Sequence, residues 1–274
     1  MSEFTPVVKW AGGKSWLLPV IEELYKKKHG RKRFVEVCGG GIALSLGLAP
    51  ISALINDINP HLVNLYHWLK IGLVADYDIK HGTRRTLVRM ENCRDVYLSN
   101  RKRFNDLILT QQWNTQEAAL LFWYLNRTGF NGLCRFSKKG NYNVPFGKYA
   151  RIDYGAFVEK FLHYQKVLSG WRFISRDFES VPLGGQDFVY IDPPYDTPFV
   201  AYAKQGFTWY DQVRLANWAT KIQGPVVVSN AATERVIDLY RKHGFTIHLL
   251  DAPRRIACNG NRAKAQEMLA VRGV

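Results

Sequence analysis

Four residues, Asp192-Pro193-Pro194-Tyr195, limit what this chain can fold into more than any other stretch. They close a short apolar run, Phe188-Val189-Tyr190-Ile191, which reads as a buried strand. Proline has no amide hydrogen to continue a ladder and stiffens the residues after it, so the strand must open into a rigid loop. Asp192 is thereby held at the carboxyl end of a strand, where open α/β sheets bind ligands. A carboxylate, a rigid carbonyl acceptor and an aromatic ring in one loop suit a planar ring bearing an amino group. Taken alone, the tetrapeptide also fits a strand-ending turn with no chemistry.

The N-terminal part extends the α/β pattern. Lys9-Trp10-Ala11-Gly12-Gly13-Lys14 sets a bare backbone turn between a stacking ring and a cation. A helix is expected from Ser15 to about Lys28, with Leu17, Leu18, Ile21, Leu24 and Tyr25 on one face. Phe34 to Gly41 and the apolar stretch Ile42 to Leu46 read as strand, glycine loop and helix, an order that brings a ligand close to backbone amides. As a dinucleotide fingerprint this is defective, because Leu44 takes the third glycine position. A second strand, Ser52 to Asn56, ends at Asp57, placed to bind ribose hydroxyls. Together these point to a nucleoside-bearing cofactor with no clear demand for pyrophosphate.

After a helix from Asn59 to about Leu69 the alternation stops, and residues 71–151 read as an insertion. Helices are expected at Tyr97 to Leu109 and Gln116 to Leu125. From His81 to Arg151, 13 Lys and Arg face 4 Asp and Glu, in a chain whose net charge is already +15. That balance, with 47% hydrophobic residues for a core, points to a polyanionic partner, nucleic acid before membrane. Asn126 to Phe136 and Asn141 to Tyr149 interleave Gly, Asn, Arg and aromatics. Such loops can wedge rings between bases and read base edges.

The α/β pattern resumes after a helix from about Tyr154 to Ser169. Strand Trp171 to Ser175 is followed by Asp177, and the strand into Asp192 by a helix near Asp211 to Ile222. Strand Pro225 to Ser229, helix Thr233 to Lys242, and strands Phe245 to Leu250 and Ala265 to Val271 complete the order. The last two read as an antiparallel hairpin at the sheet edge, joined by a loop with Arg254, Arg255, Asn259 and Arg262. Cys38, Cys93, Cys134 and Cys258 lie far apart without a CxxC pair, and the His residues are scattered. Free thiols and no metal site are expected. No run approaches the length needed to span a bilayer and no signal segment opens the chain, which favours a cytosolic protein.

In combination these motifs resemble the Dam-type DNA adenine-N6 methyltransferases, which use S-adenosylmethionine. The resemblance is carried by Lys9 to Lys14, Cys38 to Gly41, Asn56 to Asn59, Asn126 to Arg135, Asn143 to Tyr149 and Asp192 to Tyr195, and covers nearly the whole chain. It implies a Rossmann-like α/β methyltransferase sheet with an antiparallel C-terminal hairpin and a mainly helical DNA-recognition insertion. On that pattern 1–70 with 152–274 form the catalytic part and 71–151 the target-recognition part.

The resemblance also implies roles. Asp192, Pro193, Pro194 and Tyr195 hold an adenine flipped out of duplex DNA, with Asp192 as an acceptor that orients the amine and not as a nucleophile. The cofactor falls to Trp10, Lys14, Cys38, Gly39, Gly41, Asp57, Asp177 and Asp192. DNA contacts fall to Lys9, Arg127, Phe130, Asn131, Leu133, Arg135, Pro145, Lys148 and Tyr149, with Lys9 and Arg135 as readers of the guanines in GATC. Partners are double-stranded DNA, with no metal and no membrane, and the protein is expected as a cytoplasmic monomer, bacterial or phage-encoded, associated with the nucleoid through DNA. Cys38 replaces an aromatic common in the family, Phe130 a tyrosine and Lys148 an arginine; lysine lacks arginine's planar fork. The stretch from Tyr195 to Trp209 is also short for the family. Asp-Pro-Pro-Tyr is shared with amino-group methyltransferases of RNA adenine, DNA cytosine and protein glutamine. A DNA-binding protein that has lost catalysis is the alternative outside enzymes.

Overall fold

The computed structural model describes residues 5–30, 32–73, 88–196, 206–252 and 265–274. The chain divides into two compact units, one of Met1–Gly13, Gly40–Ala49 and Asn59–Ser175, the other of Lys14–Gly39, Pro50–Ile58 and Arg176–Val274.

The second unit is an α/β sheet. It holds β1 (Phe34–Glu36), β2 (Ala53–Asn56), β4 (Phe188–Ile191), β5 (Val226–Ala231), β6 (Thr246–Ala252) and β7 (Ala265–Arg272), in the order β2-β1-β4-β5-β7-β6. β2, β1, β4 and β5 run parallel, and every residue of β1, β2 and β4 is buried. β4 is apolar or aromatic throughout, as suits a strand covered on both faces, while β1 and β2 each end on a polar residue, Glu36 and Asn56. Tyr25, on α1 (Leu18–His29), meets the rings of Phe34 and Phe188 edge-on at 5.3 Å each. The chain leaves β1 for neighbours on both sides, β2 and β4, which makes β1/β4 the switch point where the carboxyl ends open a crevice.

The expected antiparallel C-terminal hairpin is present at the edge of the sheet. β7 lies between β5 and β6, pairing Ala231 with Glu267, so β6 is the outermost strand at this end of the sheet. Burial explains the choice: Met268, Leu269 and Ala270 are fully covered, whereas β6 is largely exposed. Two helices also belong to this unit, α8 (Trp209–Thr220) and α9 (Glu234–Lys242). α8 begins two residues before the expected Asp211 because Thr208 and Asp211 form a reciprocal capping box.

The first unit is mainly helical, with α2 (Ala43–Leu48), α3 (Pro60–Ile71), α4 (Arg94–Leu109), α5 (Gln116–Thr128), α6 (Tyr154–Val158), α7 (Phe161–Leu168) and the strand β3 (Trp171–Ile174). Residues 71–151 fall inside it. α5 is buried from Ala118 to Asn126, and its Trp123 donates to Val7 O at 3.0 Å, pinning the N-terminal arm. The helix expected from Tyr154 to Ser169 is two helices. The ladder tightens where Lys160 N–H donates to Phe157 O three residues back (3.2 Å), and the axis breaks there. α5 continues three residues beyond Leu125, burying Asn126 and Thr128.

His61 sits in an aromatic cage of this unit, stacked on Phe136 (5.0 Å) and edge-on to Phe104 (5.2 Å). Its Nδ1 meets no hydrogen-bond partner, and burial pushes its pKa down to about 4. An unfolded imidazole takes its proton near pH 6.5, so stability is complete above that pH and is lost as pH falls toward 4, by about 3 kcal/mol. His61→Phe is expected to flatten this part of the melting-temperature curve; a slope equal to the parent's between pH 6.5 and 4 would contradict the assignment.

The loop with Arg254, Arg255, Asn259 and Arg262, the segment with Arg84 and Arg85, Cys258 and most of the stretch between Tyr195 and Trp209 lie outside the described residues. Among the described residues no helix is long and apolar enough to cross a membrane, and no His, Cys, Asp and Glu cluster could hold a metal ion.

Candidate active site

The parallel ladder carries Asp192 and Ser229 to the same height. β4 and β5 pair Ile191 with Val228, so the next residue on each strand is the carboxylate on one and the hydroxyl on the other. Ser229 Oγ donates to Asp192 Oδ1 at 2.7 Å, and Ser229 Oγ and Tyr190 Oη share a hydrogen bond of 2.8 Å. Lys14 Nζ lies 3.2 Å from Asp192 Oδ2. Burial pushes the Asp192 carboxyl above the ordinary range, and the Lys14 ammonium and the Ser229 hydroxyl offset part of that rise.

The two prolines are locked as well as stiff. Buried Gln212 of α8 donates to Pro194 O (2.8 Å) and accepts from buried Asn230 (3.0 Å). Tyr195 Oη donates to Glu267 Oε2 at 2.7 Å, and Lys14 Nζ stands 4.5 Å from the Tyr195 ring centroid. Lys14 is only 6% exposed. Burial also raises the Glu267 carboxyl.

The other strand ends gather acids. Glu36, Asp57, Asp177 and Asp192 all act on the Cys38 thiol, which burial first and these charges second push well up. Cys38 is therefore a neutral thiol. Gly39 N–H donates to Asn56 O (2.8 Å), and Asn56 in turn donates to Val37 O (2.9 Å) and Arg176 O (3.0 Å), tying β1, β2 and the segment before Asp177. Asp177 accepts from Arg214 Nη2 (2.7 Å) and from Glu179 N–H (3.1 Å). A concentration of carboxylates at one end of this sheet, in a chain of net charge +15, suits a ligand that carries positive charge.

Trp10, Gly40 and Gly41 belong to the first unit. Gly40 takes a left-handed φ of +48°, and a Cβ there would stand 2.5 Å from Trp10 Nε1. Its carbonyl accepts from Tyr66 Oη at 2.6 Å. Bare backbone at this position is therefore required by Trp10. Gly40→Ala is expected to displace the indole and cost about 1–3 kcal/mol. If the melting temperature stays at the parent value, that requirement is wrong.

Most expected DNA contacts form one loop cluster of the first unit. Phe130 N–H donates to Pro145 O (2.8 Å), and the cluster exposes Phe130 (46%), Leu133 (40%), Asn131, Arg135, Pro145 and Lys148. Asn143 accepts from Arg135 through both its side chain (2.8 Å) and its carbonyl (3.1 Å). Lys9 Nζ donates to Arg127 O (3.1 Å) and lies 3.5 Å over the Tyr149 ring, whose Oη donates to Gly129 O (3.1 Å). Arg127 is instead laid on the Phe157 ring at 3.8 Å, half-buried, which lowers its pKa.

Several side chains at these sites carry no motif in the sequence. Ser229 and Gln212 are of this kind, and only the strand register brings Ser229 to Asp192. Glu267 needs the insertion of β7 beside β5. Asn126 reads in sequence only as part of a mixed loop, yet it is fully buried, accepts from Lys9 N–H (2.7 Å) and donates to Lys9 O (2.9 Å) and Gly132 O (3.1 Å). The isolated polar residue at the end of an apolar helix is the available signal.

Residues 10–256 match the family described as D12 class N6 adenine-specific DNA methyltransferase. The retron Ec67 DNA adenine methylase of Escherichia coli is 35% identical over 97% of this chain and 91% of its own. A DNA adenine methylase of Vibrio cholerae is 35% identical, covering 96% and 94%. The DNA adenine methylase of Escherichia coli strain K12 is 30% identical over the same shares, 96% and 94%.

Proposed function

Because the chain belongs to the D12 class of N6 adenine-specific DNA methyltransferases, we propose that it methylates adenine N6 in duplex DNA, within GATC, on a base flipped out of the helix. The observation that supports this best is the Asp192 carboxylate at the end of β4, with one oxygen held by Ser229 and the other beside Lys14. An adenine amine is a poor nucleophile because its lone pair is delocalised into the ring. Asp192 and the Pro193 carbonyl accept its two N–H groups, which localises the lone pair on nitrogen and points it along one direction. A carboxylate has about four acceptor positions, so Ser229 and Lys14 leave room for the amine. Tyr195 stacks on the base. Orientation of this kind supplies a large part of the barrier reduction.

S-adenosylmethionine supplies, when bound, an electrophilic methyl on a sulfonium, together with an ammonium. The acids around Cys38 fit those positive charges, and the bare backbone at Gly39 to Gly41 fits a close approach. Trp10, Lys14, Cys38, Gly39, Gly41, Asp57, Asp177 and Asp192 are the proposed contacts, with Asp57 on the ribose. Residues 71–151 are the proposed target-recognition segment. Phe130, Leu133, Pro145 and Asn131 approach the base step, Arg135, Lys148, Lys9 and Tyr149 the guanines and backbone, and Arg127 supports them from Phe157. The enzyme works as a monomer on bacterial or phage DNA.

The test is methyl transfer to short duplexes that differ at one base of GATC. N6-methyladenine in the GATC duplex, falling at least roughly tenfold for each changed base, is expected. Equal transfer to all duplexes would overturn the site preference, and methylation of cytosine would overturn the amine assignment.

A further inference from the structure

Among the described residues, Glu267 is the carboxylate that reaches the Asp-Pro-Pro-Tyr loop from the antiparallel side of the sheet. It lies on β7 opposite Ala231 of β5, and its Oε2 accepts from Tyr195 Oη at 2.7 Å. We propose that Glu267 is a positioning residue, which holds the Tyr195 ring through its hydroxyl in the one orientation that meets the target base. The proposal rests on the reading of Tyr195 as the ring that stacks on adenine.

Three further contacts make the tie at the ring's tip consequential. The backbone under Tyr195 is stiffened by Pro193 and Pro194, and Gln212 holds Pro194 O at 2.8 Å. The ring is approached by Lys14 Nζ, 4.5 Å from its centroid, and the same ammonium stands 3.2 Å from Asp192 Oδ2. One cation thus fixes the distance between the stacking ring and the amine acceptor. The motion left to the ring is rocking about its two side-chain torsions, and a charge-assisted hydrogen bond at Oη removes it. A base stacks on phenylalanine as well as on tyrosine, so stacking alone gives the hydroxyl no purpose. Glu267 does. Burial holds the Glu267 carboxyl above its ordinary range, a cost that the Lys14 charge and the Tyr195 hydroxyl offset.

Single-turnover methyl transfer to a GATC duplex, with KM for DNA and the dissociation constant of S-adenosylmethionine measured separately, tests the proposal. Glu267→Ala and Tyr195→Phe are each expected to slow the chemical step roughly tenfold, with cofactor binding unchanged. The double variant is expected to be no slower than the slower single, because both remove the same contact. Glu267→Gln keeps an acceptor oxygen and is expected to recover most of the rate. Parent-like turnover by Glu267→Ala, multiplicative losses in the double variant, or no recovery with glutamine would each overturn the positioning role. If Glu267→Ala melts below the assay temperature, Tyr195→Phe is compared with Tyr195→Phe combined with Glu267→Gln. Equal rates support the proposal and a further loss overturns it. A parent protein that binds cofactor yet methylates no duplex adenine overturns the reading beneath the proposal, a result separable from all of these.

Discussion

Asp192→Ala is expected to lower methyl transfer by at least roughly 10³-fold while cofactor affinity changes less than about tenfold. In the proposed role the side chain accepts the amine and sets its direction, so removing it would forfeit both charge stabilisation and orientation. The same change removes the carboxylate 3.2 Å from Lys14, which is 6% exposed, so stability is expected to fall as well. Activity and stability must therefore be separated. Asp192→Asn keeps the volume and an oxygen acceptor beside Ser229 and Lys14 but lacks the charge, and is expected to lose less stability than Asp192→Ala and to remain nearly inactive. Methyl transfer within about tenfold of the parent in either variant would remove Asp192 from the chemistry.

Lys14→Met is expected to give the second large effect, about tenfold or more at pH 7, with a distinctive pH dependence. The Asp192 carboxyl is already raised by burial, and Lys14 is the largest influence lowering it. The sign is set by that influence. Without the ammonium the carboxyl protonates at still higher pH, so less of the acceptor form exists at neutrality. The acid limb of the kcat/KM profile should move to higher pH, and raising the pH should restore part of the lost rate. A residue that only bound cofactor would raise the cofactor dissociation constant and leave the limb in place. An unshifted limb would contradict the coupling of Lys14 to Asp192.

The parts of the fold legible in the sequence are those written in local periodicity. Phe188 to Ile191 reads as a buried strand because four covered residues must all be apolar or aromatic, and two prolines end it wherever the rest of the sheet lies. Asp57 is legible for the same reason, as the residue just after a four-residue buried strand. Pairing between distant strands cannot be read locally. Ser229 stands 37 positions from Asp192, and only the β4–β5 register joins them. Which strand of the C-terminal hairpin lies against β5 cannot be read locally either, and it is the pairing of β7 with β5 that delivers Glu267 to Tyr195. Helix ends obey capping chemistry more than apolar spacing. Thr208 with Asp211 starts α8 early, and Asn126 extends α5 because its amide has three backbone partners to satisfy.

Charge tells a similar story. Composition announces a polyanion-binding protein, and the excess of basic residues is concentrated in 81–151. It cannot announce that the carboxyl ends of β1, β2 and β4 bring Glu36, Asp57 and Asp192 near enough to act on one thiol, that of Cys38. An acidic centre in a basic protein is what a cationic methyl donor and an anionic polymer together require.

The most direct measurement is expression of the parent protein and Asp192→Asn in cells that lack adenine methylation, with mapping of modified bases across the genome. N6-methyladenine is expected on both strands of GATC sites with the parent and almost nowhere with the variant. Genomic DNA free of N6-methyladenine despite folded, cofactor-binding parent protein, or equal modification by Asp192→Asn, would contradict the role assigned to Asp192 and the reaction built on it.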